Sequence, residues 1–566
     1  MTNPNTPSNF PRWLRVTMVG LAAFAMTIAL FYTEEDWRGK TAWEHAKHAL
    51  EARGEDLNWA HYIPPPVAAD ENIFGVPQMQ KWFVGRGSND FSAKLQFPGW
   101  TSDQRMVVAQ LTVGLQGTEP PVGSAAVRYG DPKAQSEITD LAKRAVGDVV
   151  LDPCGAFYTL GQADVRPAQI FLQCEKAPTQ MDLEKLVPST LINMMASNPP
   201  MEEVHVESTG GGQYSISVRQ PSTVAGFVAW NKQFEPEFDL IRQAVQRPYA
   251  RMDGNYAEPS EMPIPRFVVD RVVAQRLAAM TRCYLALGQS DKALEELTLM
   301  HQLCRTLEGR PTGKPMTLIA AMINVAIRGL YVDTIQPGLD AKRWTEPQLA
   351  VIEQQCQEIN LIPYLKGAME LELVSPSHIL VDYPWGKVLQ LYYSVPATNN
   401  GGRFSLLFWG ALLPEGWRYQ NAVTLDSLYG LALAGLDVDQ NLIYPDKLDA
   451  FSKWVQNQSR NPYSFLALMW LPNYNRAFRE LLEKQTAVNH AAIACALERY
   501  RLQRGAYPEK LDDLRPQLIT AIPHDLVVGH TPHYSRSGDA FKLYSVGWDG
   551  MDHGGVAGVD LVWPEK

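Results

Sequence analysis

The residues with the clearest potential for chemistry lie near the C-terminus, in the stretch LYSVGWDGMDHGG at positions 543 to 555. It carries Asp549 and Asp552, and Asp560 follows shortly after it. Calcium takes about six to eight oxygen ligands, so a few carboxylates must be supplemented by backbone carbonyls and water. Glycines give this backbone the freedom to turn carbonyls inward. Two interpretations of this stretch stay open: a calcium-binding loop, or a terminal turn whose aspartates only face solvent.

A rival metal interpretation uses nitrogen ligands, which suit zinc. Four histidines and two aspartates of the same region are available for it: His524, His530, His533, His553, Asp525 and Asp552. None of them has the tight spacing of an H-E-x-x-H motif, so surface histidines are the favoured interpretation. Of the group, His553 is the residue we least expect to be a ligand.

The chain carries no catalytic signature: G-x-S-x-G, H-E-x-x-H and paired-cysteine zinc motifs do not occur in it. Carboxylate pairs leave no local signature, so two hypotheses stay open. The favoured one is a membrane-anchored, non-enzymatic scaffold or interaction protein with protein partners. The alternative is an exported hydrolase that depends on a metal or on carboxylates. A net charge of -10, without long Lys/Arg runs, predicts that nucleic acid is not a partner.

Length and composition define the elements that must position these residues. With 566 residues, 46% hydrophobic and 20% charged, the chain has the composition of folded globular protein and the length of several domains. Changes of pattern along the chain predict a multidomain α+β protein. We expect boundaries near residues 80, 222 and 473.

The N-terminus predicts a membrane anchor at residues 13–33, preceded by a cytoplasmic tail at 1–12. Seventeen uncharged residues run from Val16 to Tyr32 and approach the length of a bilayer-spanning helix. Arg12 and Arg15 precede them and Glu34, Glu35 and Asp36 follow, which favours a cytoplasmic N-terminus and an exported bulk at the inner membrane. A cleaved signal peptide is the alternative, although bulky residues stand where small ones mark a cleavage site.

Residues 34–79 and 80–221 form the next two predicted segments. The first is an amphipathic juxtamembrane helix that stops at Gly54, followed by a proline-rich connector at 62–67. The second is a mixed α/β domain with strands at 106–115 and 169–176 and a hairpin that turns at Gly210–Gly212. Cys154 and Cys174 are the best candidates for a disulfide, whereas the other four cysteines are expected to be buried free thiols.

Residues 222–472 have the periodicity of helices. Within them a helix pair resembles one tetratricopeptide unit through Leu277, Tyr284, Gly288, Ala293 and Leu297. No second copy follows at the repeat distance, so a bundle or an irregular α-solenoid is the safer prediction.

Residues 473–566 predict a long helix that closes at Gly505, then a hairpin turning at Ser537–Asp539. A helix packed on a small antiparallel sheet is the expected fold. Its motifs occur in a characteristic order: ALERYRLQRGAYPEKLDDL, then Pro523, Asp525, Gly529, Pro532 and Tyr534, then YSVGWDG.

From about Thr486 to the C-terminus, this order resembles the globular domain of the type II secretion major pseudopilin. The resemblance implies a loop that binds calcium through aspartates and backbone oxygens, with Asp549 and Asp560 in the matching positions and Asp552 as a plausible third ligand. The pseudopilin processing site is absent before the anchor, and the anchor stands far upstream of this region. The whole arrangement also resembles large membrane-anchored proteins of verrucomicrobial and planctomycete type, which implies anchoring but no activity.

Overall fold

A computed structural model describes most of the chain: residues 12–85, 231–309, 317–393, 410–459, 461–471 and 474–564, with residue 228 and five short strands between 150 and 219. The predicted strand at 106–115, Cys154 and Cys174 lie outside the described residues.

The described part of the protein is mostly helical. Its α-helices are α1 Arg12–Ala52, α2 Pro77–Phe83, α3 Glu235–Ala244, α4 Phe267–Ala286, α5 Ser290–Leu303, α6 Leu318–Asp340, α7 Glu346–Gln357, α8 Leu361–Asp382, α9 Trp385–Tyr392, α10 Gly416–Leu433, α11 Pro445–Gln456, α12 Phe465–Trp470 and α13 Tyr474–Arg504.

Four small antiparallel sheets accompany the helices. Their strands are β1 Val150–Leu151, β2 Phe157–Tyr158, β3 Ile170–Gln173, β4 Glu203–Gly210, β5 Gln213–Arg219, β6 Leu436–Asp437, β7 Leu442–Ile443, β8 His533–Ser537, β9 Ala540–Ser545 and β10 Leu561–Trp563. The sheets are β1-β2, β3-β5-β4, β6-β7 and β10-β9-β8. Both predicted hairpins are confirmed, since Val204 pairs with Val218 and β8 pairs with β9.

The chain divides into two compact units, each assembled from separate stretches of sequence. The first unit comprises Met1–Pro64, Gly254–Met262 and Lys366–Arg479, and the second comprises Pro65–Asp253, Pro263–Leu365 and Glu480–Lys566. The predicted domain boundaries near 80, 222 and 473 stay predictions.

In the first unit, the anchor and the juxtamembrane helix are one continuous helix, α1. Its N-terminal half is long and apolar enough to cross a membrane and is exposed. Its C-terminal half packs against α10, and the two backbones touch where Gly39 faces Gly416: a Cβ on Gly39 would lie 2.1 Å from the Gly416 carbonyl oxygen. The helix ends before Gly54, as predicted, and Gly54 has a positive φ of 85°.

The same contact buries a carboxylate of α1. Glu35 is 5% exposed and accepts hydrogen bonds from Trp417 Nε1 at 2.9 Å and Tyr463 Oη at 3.2 Å. Asp36 accepts one from the Gly416 amide at 2.8 Å, which satisfies a donor at the beginning of α10. These bonds fix the helix that carries the apolar stretch directly to the first unit.

The second unit has a helical core in which the predicted helix pair is confirmed as α4 and α5. Gly288 makes the turn between them with φ of 71°, and Leu277, Ala293 and Leu297 are buried. The apolar helix α6 would also be long enough to cross a membrane, but 67% of its most apolar window is buried in the fold. Cys283, Cys304, Cys356 and Cys495 are buried free thiols, as predicted.

Residues 480–504 of α13 connect this core to the C-terminal sheet. Gln485 Nε2 donates to the Ile359 carbonyl at 3.1 Å, and Arg499 Nε donates to Glu346 at 2.9 Å. On the sheet side, His490 Nε2 lies 3.0 Å from Ser545 Oγ at the end of β9. The structure thus shows a long helix that contacts the end of β9 in a small antiparallel sheet, next to the loop between β9 and β10.

Candidate functional site

The loop between β9 and β10 is folded around the carboxylate of Asp560, one of the three predicted calcium ligands. This side chain is fully buried. Its oxygens accept backbone N–H bonds from His553 at 3.2 Å, Gly555 at 2.7 Å and Val556 at 3.1 Å. Three converging amides satisfy a buried anion as a cation would, so in this arrangement most of the acceptor capacity of Asp560 is already in use.

A second buried carboxylate, Asp525, holds the other end of the same loop. Its Oδ1 accepts from the Val527 and Val528 amides at 2.8 and 3.2 Å, and its Oδ2 accepts from the Val546 amide at 2.7 Å. Asp525 is 2% exposed. The sequence analysis considered it as a motif residue and as a possible zinc ligand, whereas in the structure it fixes the residue at which the loop leaves β9.

Asp549 and Asp552, the other predicted ligands, lie at the surface and cap short turns. Asp549 Oδ1 accepts from the Met551 amide at 3.1 Å, and Asp552 Oδ1 accepts from the Gly554 amide at 2.8 Å. This backbone bond, helped by Tyr544 and His533, holds the pKa of Asp552 below its usual value. Each of these carboxylates also has a histidine neighbour. The three predicted ligands therefore fall into two clusters, one around His553 and one around His533.

His553 lies between two of the predicted ligands. Its Nε2 is 3.6 Å from Asp549 Oδ2, and its Nδ1 is 3.5 Å from Asp560 Oδ1. His533 is the neighbour of Asp552, at 3.6 Å, and stacks on the Tyr544 ring at 4.7 Å. His553, the residue we least expect to be a metal ligand, thus lies within 3.6 Å of both Asp549 and Asp560.

Within the residues that the structure describes, no group of three or more His, Cys, Asp or Glu side chains is arranged to hold a metal ion. Calcium at Asp560 would have to replace amide donors that the carboxylate now uses. The loop as folded fits an amide-capped carboxylate better than a metal centre. Calcium stays a prediction, and no chemical step is derived through it.

Sequence reasoning missed a second polar cluster, buried among the helices of the second unit. At its centre Arg328, 5% exposed, donates from Nη1 to the His301 carbonyl at 3.1 Å and from Nη2 to Glu308 at 3.1 Å. Arg328 Nη1 also lies 2.8 Å from His301 Nδ1. Burial and the Arg328 charge lower the pKa of His301 to about 3, so this imidazole is neutral and accepts from the guanidinium.

Asp270 belongs to the same cluster, and its carboxyl group has a raised pKa. Its side chain is completely buried, and burial raises its pKa to about 8. Oδ1 accepts from Thr306 Oγ1 at 3.3 Å, whereas Oδ2 has no hydrogen-bond partner in the described part of the chain. Near neutral pH the group is therefore mostly a neutral acid. In the sequence, the signal for this cluster is that Asp270 and Arg328 interrupt helices that are otherwise mostly apolar.

The buried thiol of Cys304 lies near Asp270 and Arg328, and burial raises its pKa to about 12. A thiol in this state is a poor nucleophile. The polar contacts of the cluster thus connect α4, α5 and α6, and we interpret it as a network that stabilises the packing of these helices.

No protein-family model, no curated protein and no solved structure matches this chain. The resemblance of the C-terminal region to the major pseudopilin domain therefore stays a prediction.

Proposed function

We propose that this protein is a membrane-anchored envelope protein that acts as a scaffold or interaction protein. Residues 13–33 would span the inner membrane, residues 1–12 would lie in the cytoplasm, and the rest of the chain would lie outside it. The observation that carries this proposal is the division of α1, whose apolar half is exposed while its other half is built into the first unit. Arg12 and Arg15, which precede the uncharged run from Val16 to Tyr32, support the orientation.

A scaffold role is supported by the same continuity. Glu35 and Asp36 lie within one turn of the proposed span and accept hydrogen bonds from residues of the folded part of the first unit. The folded part would therefore be held next to the bilayer without a flexible linker. The helical core of the second unit and a pseudopilin-like C-terminal module would then offer surfaces to protein partners. In this proposal the protein catalyses no reaction.

Topology is tested with a tag at residue 1 and a second tag at residue 566 of the full chain. In intact spheroplasts, external protease should remove the C-terminal tag and spare the N-terminal tag until the membrane is permeabilised. Protection of both tags would contradict export, and digestion of both would contradict the cytoplasmic N-terminus. Resistance of the full chain to extraction by alkaline carbonate tests the span itself.

The absence of catalysis is tested with a panel of ester, peptide, glycoside and phosphate substrates. We expect no turnover above that of a mock purification. Turnover that a chelator abolishes would favour a metal-dependent hydrolase, and turnover that only carboxylate substitutions abolish would favour a carboxylate-dependent one. Either result would overturn the scaffold proposal.

Calcium enters the proposal as a structural ligand of the C-terminal loop. If it binds there, a calcium titration of the full chain in detergent should raise the thermal midpoint by mass action. The paired substitutions Asp549→Asn and Asp552→Asn should remove that rise, because they remove two carboxylate charges while the Asn oxygens can still accept the turn bonds from Met551 and Gly554. An unchanged midpoint in the wild type, with magnesium as the control ion, would exclude calcium.

A further inference from the structure

The end of the first unit nearest the span carries a group of exposed apolar side chains. The height of this group along α1 is marked by Tyr32, the last residue of the apolar stretch. The Tyr32 hydroxyl donates to the Leu412 carbonyl at 2.6 Å. Glu35 and Asp36 make the next contacts along α1. If α1 spans a bilayer, as the proposed function requires, the surface around Leu412 must lie at the height of the lipid headgroups.

Helix α10 runs away from this level. It begins at Gly416, beside Asp36 and Gly39, and Asp426 on the third turn lies 3.4 Å from Arg53 Nη2, beyond the end of α1. Helices α1 and α10 are thus parallel, and the beginning of α10 marks the end of the first unit that is nearest the bilayer.

Helix α12 begins beside the first half of α10. Just before it, the Tyr463 carbonyl accepts from Thr424 Oγ1 at 2.9 Å. One turn earlier in α10, Asn421 Oδ1 accepts from the Leu466 amide at 2.9 Å. The beginning of α12 lies close to that of α10, since the Phe465 ring stacks on Trp385, whose Nε1 donates to the Pro414 carbonyl at 2.9 Å. With six residues at a rise of about 1.5 Å each, the last residue of α12, Trp470, stays within about 8 Å of Phe465.

The C-terminal ends of α9 and α12 contact each other. The Tyr392 hydroxyl donates to Met469 Sδ, and the Tyr392 ring lies 4.8 Å from Tyr393 and 6.4 Å from Trp470. Tyr393 is 60% exposed and Met469 52% exposed. Leu412 is 47% exposed, and Trp37, just above Tyr32 on α1, is 64% exposed.

These four residues, Trp37, Tyr393, Leu412 and Met469, form what we call the seating surface. Beyond the span itself, the described residues of the first unit expose one other large apolar side chain, Leu431 at the far end of α10. The exposed apolar groups are therefore concentrated at the end that continues from the span. Tyr and Trp are the residues that prefer the membrane interface, where a ring is half in lipid and half in water.

We propose that the seating surface inserts into the headgroup region of the bilayer, so that the first unit is held by the lipid surface as well as by the span. The inference rests on the proposed span, and the bilayer is its one occupant. Contact at several points around α1 would set the tilt of the whole first unit against the membrane.

The test uses single cysteines that carry an environment-sensitive nitrobenzoxadiazole label in the full chain. The background replaces Cys154 and Cys174 by Ser, since the other four native cysteines are buried. Four variants are labelled: Leu412→Cys and Met469→Cys on the seating surface, Leu431→Cys as the matched exposed control, and Phe24→Cys within the span. Vesicles of phosphatidylethanolamine and phosphatidylglycerol carry a nitroxide on lipid chains near the headgroup, and thermal midpoints confirm that each variant is folded.

We expect labels at 412 and 469 to be blue-shifted and quenched by the nitroxide lipids, and the label at 431 to be quenched only by aqueous iodide. A lipid-shielded label at 24, with labels at 412 and 469 as water-exposed as the one at 431, would overturn the seating surface and leave the span intact. A water-exposed label at 24 would overturn the span and the inference with it. Lipid quenching at all four positions would also overturn the inference, because the effect would not be confined to one end.

Discussion

At the residue scale, the C-terminal loop depends on the buried carboxylate of Asp560. The substitution Asp560→Ala leaves the amides of His553, Gly555 and Val556 without their acceptor. Hydrogen bonds to a charged group contribute about 1.5–3 kcal/mol each, and water replaces part of them in this largely exposed loop, so we expect a loss of about 2–4 kcal/mol. The free energy of unfolding from denaturant titration measures it.

The matched control is Asp539→Ala, in the exposed turn between β8 and β9. It should change the free energy of unfolding by less than about 0.5 kcal/mol. Equal effects of the two substitutions would contradict the structural role of Asp560 in the loop.

Asp270 predicts a dependence of stability on pH. Burial raises its pKa to about 8 in the folded chain, from 3.8. The folded state therefore holds a proton that the unfolded state has released, and the contribution of Asp270 to stability falls by about 1.4 kcal/mol per pH unit between these two values. Asp270→Asn, which cannot ionise, should become increasingly more stable than the wild type from pH 5 to pH 8 and hold a constant advantage above that.

The measurement is the difference in the free energy of unfolding between the two chains at each pH, which cancels the titration of all other groups. Asp539→Asn, in an exposed turn, is measured in parallel as the control for the loss of one carboxylate. A constant difference for Asp270→Asn would show that Asp270 has an ordinary pKa in the fold.

At the element scale, the contact between α1 and α10 depends on two glycines. A Cβ at Gly39 would lie 2.1 Å from the Gly416 carbonyl oxygen, whereas a Cβ at Gly20, in the exposed half of the same helix, meets nothing within 4 Å. Gly39→Ala forces the two backbones apart and should cost at least about 1–3 kcal/mol. Gly20→Ala should be neutral or slightly stabilising, because alanine favours helix. Thermal midpoints of the two variants in detergent test the contrast.

Local patterns predicted much of this element list. The apolar run of the anchor, the turn at Gly288 and the alternation of Val204 and Val206 each specify an element within a few dozen residues. What the sequence could not predict are contacts between distant segments, such as Glu35 with Trp417, 382 positions apart. The amide bonds of Asp560 could not be predicted for a related reason, because carboxylates that bind metal and carboxylates that cap backbone amides have the same sequence signature.

At the scale of the whole molecule, α1 combines the proposed membrane span with a half that belongs to the fold of the first unit. Trp43 and Leu50, on its C-terminal half, are buried, and Glu35 and Asp36 satisfy donors of the first unit. The exposed half makes one described bond to the folded part, from Tyr32. The two halves should therefore respond very differently to removal.

Two truncations separate the halves. A chain that begins at Glu34 loses the span but keeps the packed half, so it should leave the carbonate-washed membrane fraction while its thermal midpoint stays within a few degrees of the full chain. A chain that begins at Arg53 loses Trp43, Leu50 and Glu35 together, which opens the core and leaves Trp417 Nε1 without its acceptor. We expect its first unit to be degraded by protease at temperatures where the longer chain resists. Equal stability of the two truncations would show that α1 is only an anchor, and loss of folding in both would show that the span itself is required for the fold.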